Sequence, residues 1–371
     1  MTFNLNLNGR ERSSVYIGGV SFSDLEKFIV LRWGHPEKIF ILVDENTREH
    51  CLPVLLSNTP CLRNAEILEI QAGEKSKTVE MASQIWNQLI TGNADRNSLL
   101  ICLGGGMITD LGGFVAALFM RGIPFIHIPT SLMGMVDAAI GGKTAVNLKN
   151  IKNQVGSFTL PEAVFIFPCF LKTLGNHQLN NGFSEIVKYG LISDTRLWKK
   201  IKSLVRTGFL HNPFDETRWE WLICRCIAIK CKVVNRDFRE ESHRKILNFG
   251  HTIGHGLETF SMMHDPDPIF HGRAIAAGMI CESYLSSLIT GLSTEDLDAI
   301  TGLILKISGH YSFTGKDFKL LKEIIVHDKK NKNKSLRFTL LSEIGNAKPD
   351  QTCDWKQVED SLTYYSNLHV I

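Results

Sequence analysis

Ser98–Phe119, SLLICLGGGMITDLGGFVAALF, is the stretch whose reading decides the fold of the first half of the chain. Leu99–Leu103 is apolar throughout, as a strand buried on both faces of a sheet is. It ends on Gly104-Gly105-Gly106, and from Met107 the pattern continues with the period of a helix. Glycines at such a turn let backbone N–H groups approach a pyrophosphate, and the helix N-terminus favours its charge. The spacing is not G-x-G-x-x-G, because Thr109 stands where the last glycine belongs. The motif alone therefore suits a tight turn after a buried strand as well as it suits a nucleotide site.

Working outward, the same alternation repeats. Lys38–Asn46 reads as a buried strand, Ala65–Lys77 as a strand running into a polar loop, Met81–Ile90 as an amphipathic helix and Pro124–Ser131 as a short strand. This β-α-β rhythm predicts a parallel sheet with helices on both faces, an α/β, Rossmann-like domain. Asp44 ends the first of these strands, where it could hold a ribose hydroxyl, though a strand-end Asp is more often a turn residue. From about Gly175 helical periods dominate: Gln178–Leu191, Arg218–Val234, Leu247–Phe260 and Gly272–Leu288. With 371 residues two domains are expected, an α/β domain over 1–174 and a mainly α-helical one over 175–371.

The bulk properties exclude several function classes. Hydrophobic content is 44% and charged content 21%, and a net charge of +3 gives no electrostatic case for binding nucleic acid or a membrane surface. No apolar run reaches spanning length, and no basic-then-apolar signal pattern opens the chain. Nine scattered cysteines in no paired zinc spacing predict a reducing, cytoplasmic compartment. Cys224, Cys226 and Cys231 fall in an apolar helical run and read as buried thiols.

A second stretch, Arg244–His271 (RKILNFGHTIGHGLETFSMMHDPDPIFH), points to a metal. His251 and His255 share one helical face, and His271 follows a loop with two Asp-Pro pairs that can swing it back toward them. Imidazoles so placed suit zinc. Glu185, three residues before Lys188 in GFSEIVKYG, is either half of a surface ion pair worth about 0.2–0.5 kcal/mol or a third ligand joining His251 and His271, with one position left open for substrate. His255, Glu258 and His264 compete for that role, although a carboxylate placed like Glu258 often only orients a histidine. Between Met120 and Phe158, the polar residues Arg121, Asp137, Lys143, Lys152 and Asn153 are spread through an apolar, glycine-rich loop. Its Gly141-Gly142-Lys143-Thr144 lacks the upstream glycine of a phosphate-binding loop. Lys230 lies on the apolar face of Ile223, Ile227 and Val234 and, if it cannot reach water, requires an anion.

Taken in order, GGGMITDLGGFVAALFMRGIPFIHIPTSLMGMVDAAIGGKTAVNLKNIKNQVGSF, FLKTL, GFSEIVKYGLISD, KCKVVNRD, RKILNFGHTIGH and the His271-Gly272 pair resemble the 3-dehydroquinate synthase family over most of the chain, from about Asp44 to Gly345. The resemblance implies an NAD-binding α/β domain followed by a metal-binding helical domain, paired as a homodimer. It implies conversion of a sugar phosphate, 3-deoxy-D-arabino-heptulosonate 7-phosphate, into 3-dehydroquinate and phosphate. By position it implies Glu185, His251 and His271 as ligands of zinc or cobalt. It puts NAD against Asp44, Glu74, Lys77, Gly105, Gly106, Met107, Ile108, Thr109, Asp110, Thr130, Ser131, Lys143, Lys152, Phe170, Leu171, Lys172 and Thr173. It gives catalytic roles to Asp137, Lys143, Lys152, Asn153, Lys188, Asn248 and His255, and substrate binding to Arg121, Lys230, Arg244 and Lys330, with Lys230 and Arg244 taking the carboxylate.

The chain departs from the family pattern at three places. Arg273 follows Gly272 where Glu is usual, the loop holding Asp265-Pro266-Asp267-Pro268 is longer, and Phe238 stands where an acidic residue is common. The alternatives are another sugar-phosphate cyclase, which lacks the substrate carboxylate and has no use for Arg244, a metal-dependent polyol dehydrogenase, which has no use for Lys143, Lys152 and Asn153, and a binding protein that has lost catalysis.

Overall fold

Where the sequence alternates apolar runs with helical periods, the computed structural model forms a largely parallel sheet; it describes residues 1–7, 10–18, 22–34, 38–149, 151–211, 214–328 and 336–368. The strands are β1 (Thr2–Leu7), β2 (Arg10–Tyr16), β3 (Ile39–Asp44), β4 (Glu66–Ile70), β5 (Leu99–Gly104), β6 (Phe125–Pro129), β7 (Lys143–Leu148), β8 (Ile151–Phe158) and β9 (Ala163–Phe165). Seven of them line up as β1-β2-β9-β6-β5-β3-β4, parallel except for the β1/β2 pair. Every residue of β3, β5, β6 and β9 is buried, which is why these strands read as unbroken apolar runs. From β3 the chain adds β4 on one side and β5, then β6, on the other. The winding reverses between β3 and β5, and ligands of open α/β sheets bind outside the carboxyl ends of strands at such a reversal. Asp44 and Gly104 are those carboxyl ends.

Five helices, α1 (Phe22–Trp33), α2 (Glu45–His50), α3 (Leu52–Asn58), α4 (Val79–Thr91) and α5 (Gly106–Leu118), connect these strands. The Gly112-Gly113 pair of α5 is a packing requirement. A Cβ at Gly112 would overlap the Cys102 sulfur of β5, and one at Gly113 would come within 2.6 Å of the Thr144 methyl of β7. Residues 143–148 and 151–158, expected as parts of a loop, pair as the antiparallel hairpin β7/β8. Their alternating burial, one face toward α5, is the strand signal that the glycines around them obscure.

Packing divides the chain differently from a single cut. One unit comprises Met1–Gly175 with Phe214–Phe238, the other Asn176–Pro213 with Arg239–Ile371. The chain leaves the first unit for α6 (Asn176–Ser193) and α7 (Thr195–Arg206), then returns as α8 (Glu216–Arg236). The helix around Lys230, expected in a helical domain, thus belongs by contact to the α/β unit. Asn235 of α8 donates to the Asn4 carbonyl and accepts from the Asn6 amide of β1. A helical period reports which face is apolar and not which neighbour covers it.

The second unit continues with α9 (His251–His264), α10 (His271–Ile289), α11 (Thr294–Ser308) and α12 (Phe318–Asp328). The hairpin β10 (Leu336–Glu343)/β11 (Asn346–Cys353) and α13 (Trp355–Ser366) complete it. The helix expected from Leu247 starts four residues later. Gly250, at φ 81°, breaks it from the tight turn His243–Asn248. No helix among the described residues is long and apolar enough to cross a membrane.

His127 of β6 is 4% exposed, and its Nδ1 has no hydrogen-bond partner among the described residues. Burial pushes its imidazole down to about 3, so the folded chain holds it neutral. The unfolded chain takes up this proton below about pH 6.5, so the stability contribution is complete above that pH and declines by about 1.4 kcal/mol per unit toward pH 3. His127→Phe is expected to flatten the fall in urea midpoint between pH 7 and pH 5; an unchanged slope would show that water reaches this histidine.

Candidate active site

In the second unit three helices converge on one group of side chains. Glu185 of α6 is fully buried, and Lys188, one turn on and also buried, is its ion-pair partner. This is no surface pair. The Glu185 Oε1 lies 3.7 Å from His251 Nε2 and 3.9 Å from His271 Nε2. One ring nitrogen from each of His251, His255 and His271 lies within 4.8 Å of the others, a spacing that can hold a metal ion. Neither Glu185 oxygen has a well-directed hydrogen-bond donor among the described residues. A carboxylate buried in that state needs further positive charge, and a divalent cation fits the donor set of imidazoles and carboxylate.

The rings are oriented for this. His251 Nδ1 faces the Phe249 carbonyl at 3.1 Å, and His271 Nδ1 faces Glu258 Oε2 at 3.1 Å. Carbonyl and carboxylate only accept, so both Nδ1 atoms carry the proton and both Nε2 lone pairs are left for a ligand. Burial, reinforced by Lys188 and the neighbouring imidazoles, holds His251 well below the ordinary histidine range. The neutral ring is the form that binds metal. Glu258 therefore stands behind His271. His264, in the last turn of α9, donates to the Phe260 carbonyl (2.8 Å) and stacks on its ring, outside the cluster.

The unusual residues around His271 have local explanations. The Asp265 carboxylate accepts from the hydroxyls of Ser261 and Tyr311, and Ser261 Oγ accepts from the Ile269 amide at 2.9 Å. The longer loop is thus fastened at both ends before it delivers His271. Arg273 donates to the His310 carbonyl (2.8 Å). Arg244 is 2% exposed within the turn before α9, and Asn248 of the same turn donates to Glu240 (2.6 Å).

In the first unit the β5–α5 turn is held tightly. A Cβ on Gly104 would meet Ile108 at 2.5 Å, one on Gly105 the Ser131 hydroxyl at 3.2 Å and one on Gly106 the Ala138 methyl at 3.0 Å. Thr109 Oγ1 donates to the Gly106 carbonyl (3.0 Å), and the Thr130 amide donates to Gly104 (2.9 Å). Met107, Ile108 and Asp110 share the first turns of α5. Lys77, 4% exposed, donates at 2.6 Å to both Asp110 and Asn153. Asn147 donates from its side chain to Glu74 (2.9 Å) and from its backbone to the Lys77 carbonyl (2.8 Å). The Glu74–Lys77 segment, Asp110 and Asn153, distant from one another in sequence, are so brought together. Burial raises the Asp110 carboxyl, against the opposing pull of Lys77.

Other expected residues are placed less distinctively. Asp44 Oδ1 accepts from the amide (2.8 Å) and hydroxyl (3.0 Å) of Thr47, capping α2, the turn role a strand-end Asp commonly has. Lys230 donates at 2.5 and 2.6 Å to the carbonyl and carboxylate of Asp137, so the anion beside it in this structure is internal. Met120 and Arg121 adopt left-handed backbone (φ 49° and 69°) at an exposed turn, and Asn153 does so on β8 (φ 55°). Lys143 opens β7 opposite Phe158, and Lys152 lies on β8. Phe170 and Leu171 are buried, while Lys172 and Thr173 are exposed. Phe238 packs on Phe158, with ring centroids 5.7 Å apart. Lys330 lies outside the described residues. Sequence reasoning missed Asn147, Glu240 and Glu282. Only Glu282 left a signal, an acidic residue inside the apolar run of α10.

The family model for the 3-dehydroquinate synthase N-terminal region matches residues 67–181, and that for the C-terminal region matches residues 182–331. The 3-dehydroquinate synthase of Parabacteroides distasonis is 41% identical over 329 residues, covering 89% of this chain and 91% of that protein. The 3-dehydroquinate synthase of Clostridium acetobutylicum is 34% identical over 357 residues, covering 96% of each. Among solved structures, 2-deoxy-scyllo-inosose synthase complexed with carbaglucose-6-phosphate, NAD+ and Co2+ superposes with a TM-score of 0.83 at 23% identity, covering 98% of this chain and 100% of that one. The 2-epi-5-epi-valiolone synthase of Streptomyces hygroscopicus, with NAD+ and Zn2+, gives 0.79 at 23%, covering 95% and 96%.

Glu185→Gln, His251→Ala and His271→Ala are each expected to leave the purified protein with little Co2+ after dialysis, measured by elemental analysis, while His264→Ala retains the wild-type content. Glu258→Gln is expected to weaken metal binding about 10–100-fold.

Proposed function

The chain belongs to the 3-dehydroquinate synthase family, and from that membership we propose how its residues divide the work of converting 3-deoxy-D-arabino-heptulosonate 7-phosphate into 3-dehydroquinate and phosphate. The observation that carries this reading is the fully buried Glu185 carboxylate set 3.7 and 3.9 Å from two imidazole Nε2 atoms. A group so placed has little use in a protein that merely binds. Glu185, His251 and His271 hold the metal, with His255 directed at substrate. Zinc and cobalt both suit such donors.

The β5–α5 turn, Asp44, Glu74, Lys77, Thr130, Ser131 and Phe170–Thr173 receive NAD at the reversal of the sheet. When bound, NAD supplies a transient hydride acceptor and the metal a Lewis acid at the alcohol being oxidised, which together acidify the neighbouring C–H. The protein's own groups then fix position and charge. Lys143, Lys152, Asn153 and Arg121 bind the phosphate, so that one of its oxygens takes the C–H proton as the phosphate leaves. His255 assists in holding it. Lys230 and Arg244 bind the carboxylate. This last pairing favours the dehydroquinate reaction over cyclisation of a sugar phosphate that lacks a carboxylate. For Lys230 it requires the ammonium, which donates to Asp137 in this structure, to serve Asp137 and substrate together.

A homodimer and a cytoplasmic setting complete the proposal. The second is supported by nine cysteines that are all free thiols.

The test mixes purified protein, NAD, metal and the heptulosonate phosphate with excess dehydroquinase, which turns the product into an absorbing enone. Phosphate and enone are expected in equal amounts with no net NADH. Phosphate without enone would point to another cyclase product, and net NADH to a dehydrogenase. Arg244→Gln is expected to raise KM by about 10–100-fold, the loss of a charge-assisted hydrogen bond. An Asn153→Ala enzyme with undiminished turnover would remove that residue from the phosphate site.

A further inference from the structure

The first turn of α9 carries His251, and the end of that turn is closed by a side chain for which the scheme above has no use. The opening amides of a helix have no partner within it. The residue at the cap position here is Gly250, which has no side chain to supply one. The partner is Glu282 of α10, which is fully buried. Its Oε2 accepts from the Gly250 amide at 2.7 Å, and its Oε1 from the amides of Thr252 (3.0 Å) and Ile253 (3.1 Å). An acidic group is favoured at this end of a helix, but it ordinarily comes from the helix's own first turn. This one comes from the helix that begins with His271.

The backbone makes that reach possible. Gly278 lies one turn before Glu282, and a Cβ there would overlap the Gly250 carbonyl and stand 2.6 Å from the Gly254 amide. The two helices therefore touch backbone to backbone, and Glu282 projects from the touching face. Ser286, one turn further, donates to the Glu282 carbonyl (2.6 Å) and accepts from the Leu341 amide (2.9 Å), tying the same turn of α10 to β10. One carboxylate thus holds the amides on both sides of His251.

We propose that Glu282 is a positioning residue of the metal centre: by binding the first amides of α9 to α10 it sets His251 against His271 before the metal arrives. The inference rests on the metal reading above. Supporting groups of this kind typically change metal affinity about 10–100-fold when altered.

The experiment titrates metal-free wild type, Glu282→Gln and Ser286→Ala with Co2+, following affinity and the visible absorption of bound cobalt. The glutamine has the same shape, but its NH2 cannot accept, so at least one amide faces another donor. Glu282→Gln is expected to bind Co2+ about 10–100-fold more weakly, with a changed visible band and unchanged NAD affinity. Ser286→Ala, which disturbs the same turn but leaves the carboxylate, is expected to bind as wild type. Wild-type affinity and spectrum in Glu282→Gln would overturn the proposal, even with a lowered melting temperature.

If that variant does not fold, amide exchange in the wild type decides. Gly250, Thr252 and Ile253 are expected to be protected alike with and without Co2+, whereas protection that appears only with the metal would overturn preorganisation by Glu282. A wild type that takes up no cobalt would refute the metal assignment and this inference with it, an outcome distinct from a failure confined to the variant.

Discussion

A carboxylate removed from water must be compensated where it stands, and Glu185 sets that requirement for the second unit. It is fully buried, with Lys188 alongside and two imidazole edges within 4 Å. Burial of an isolated charge is among the most costly steps a chain can take, so what surrounds Glu185 has to arrive in the right place and protonation state. The proton on each Nδ1 is directed outward, by the Phe249 carbonyl for His251 and by Glu258 for His271. Two helices have to meet closely enough for glycines alone to fit between them. Gly250, Gly254 and Gly278, which look like breaks in a helical pattern, serve this one demand.

The first unit answers a different one. Its sheet reverses between Asp44 and Gly104, and the groups near that reversal are held by a lysine that is itself buried. Lys77 draws Asp110 from α5 and Asn153 from the β8 strand to a single ammonium. A fixed arrangement of this kind suits the nucleotide site proposed for this unit.

Much of this was legible in the sequence, because apolar runs bounded by glycine report burial on both faces. The strands Ile39–Asp44, Leu99–Gly104 and Phe125–Pro129 all stand where their composition put them. His251, His255 and His271 were visible as a cluster because helical spacing and one returning loop suffice to join them. Other parts were not legible. The β7/β8 hairpin was hidden by its glycines, and the amino-terminal strand Thr2–Leu7 went unread although its residues alternate. Glu282 left only the oddity of an acidic residue inside an apolar helical run, because a side chain that caps a different helix leaves no capping pattern at either end. Lys230 lay between, its need for an anion readable and the identity of its neighbour, Asp137, not.

The return of α8 to the first unit has a consequence for how the protein is made. Neither unit is a continuous piece of chain, since residues 214–238 close a unit begun by residues 1–175, after 176–213 have been laid down for the other. Synthesis from the amino terminus cannot finish the α/β unit when its last strand emerges. It waits for Phe238, by which time the opening helices of the second unit are already outside the ribosome. The two units then mature with overlapping timing, and proteolysis at a single bond between them cannot release either one intact.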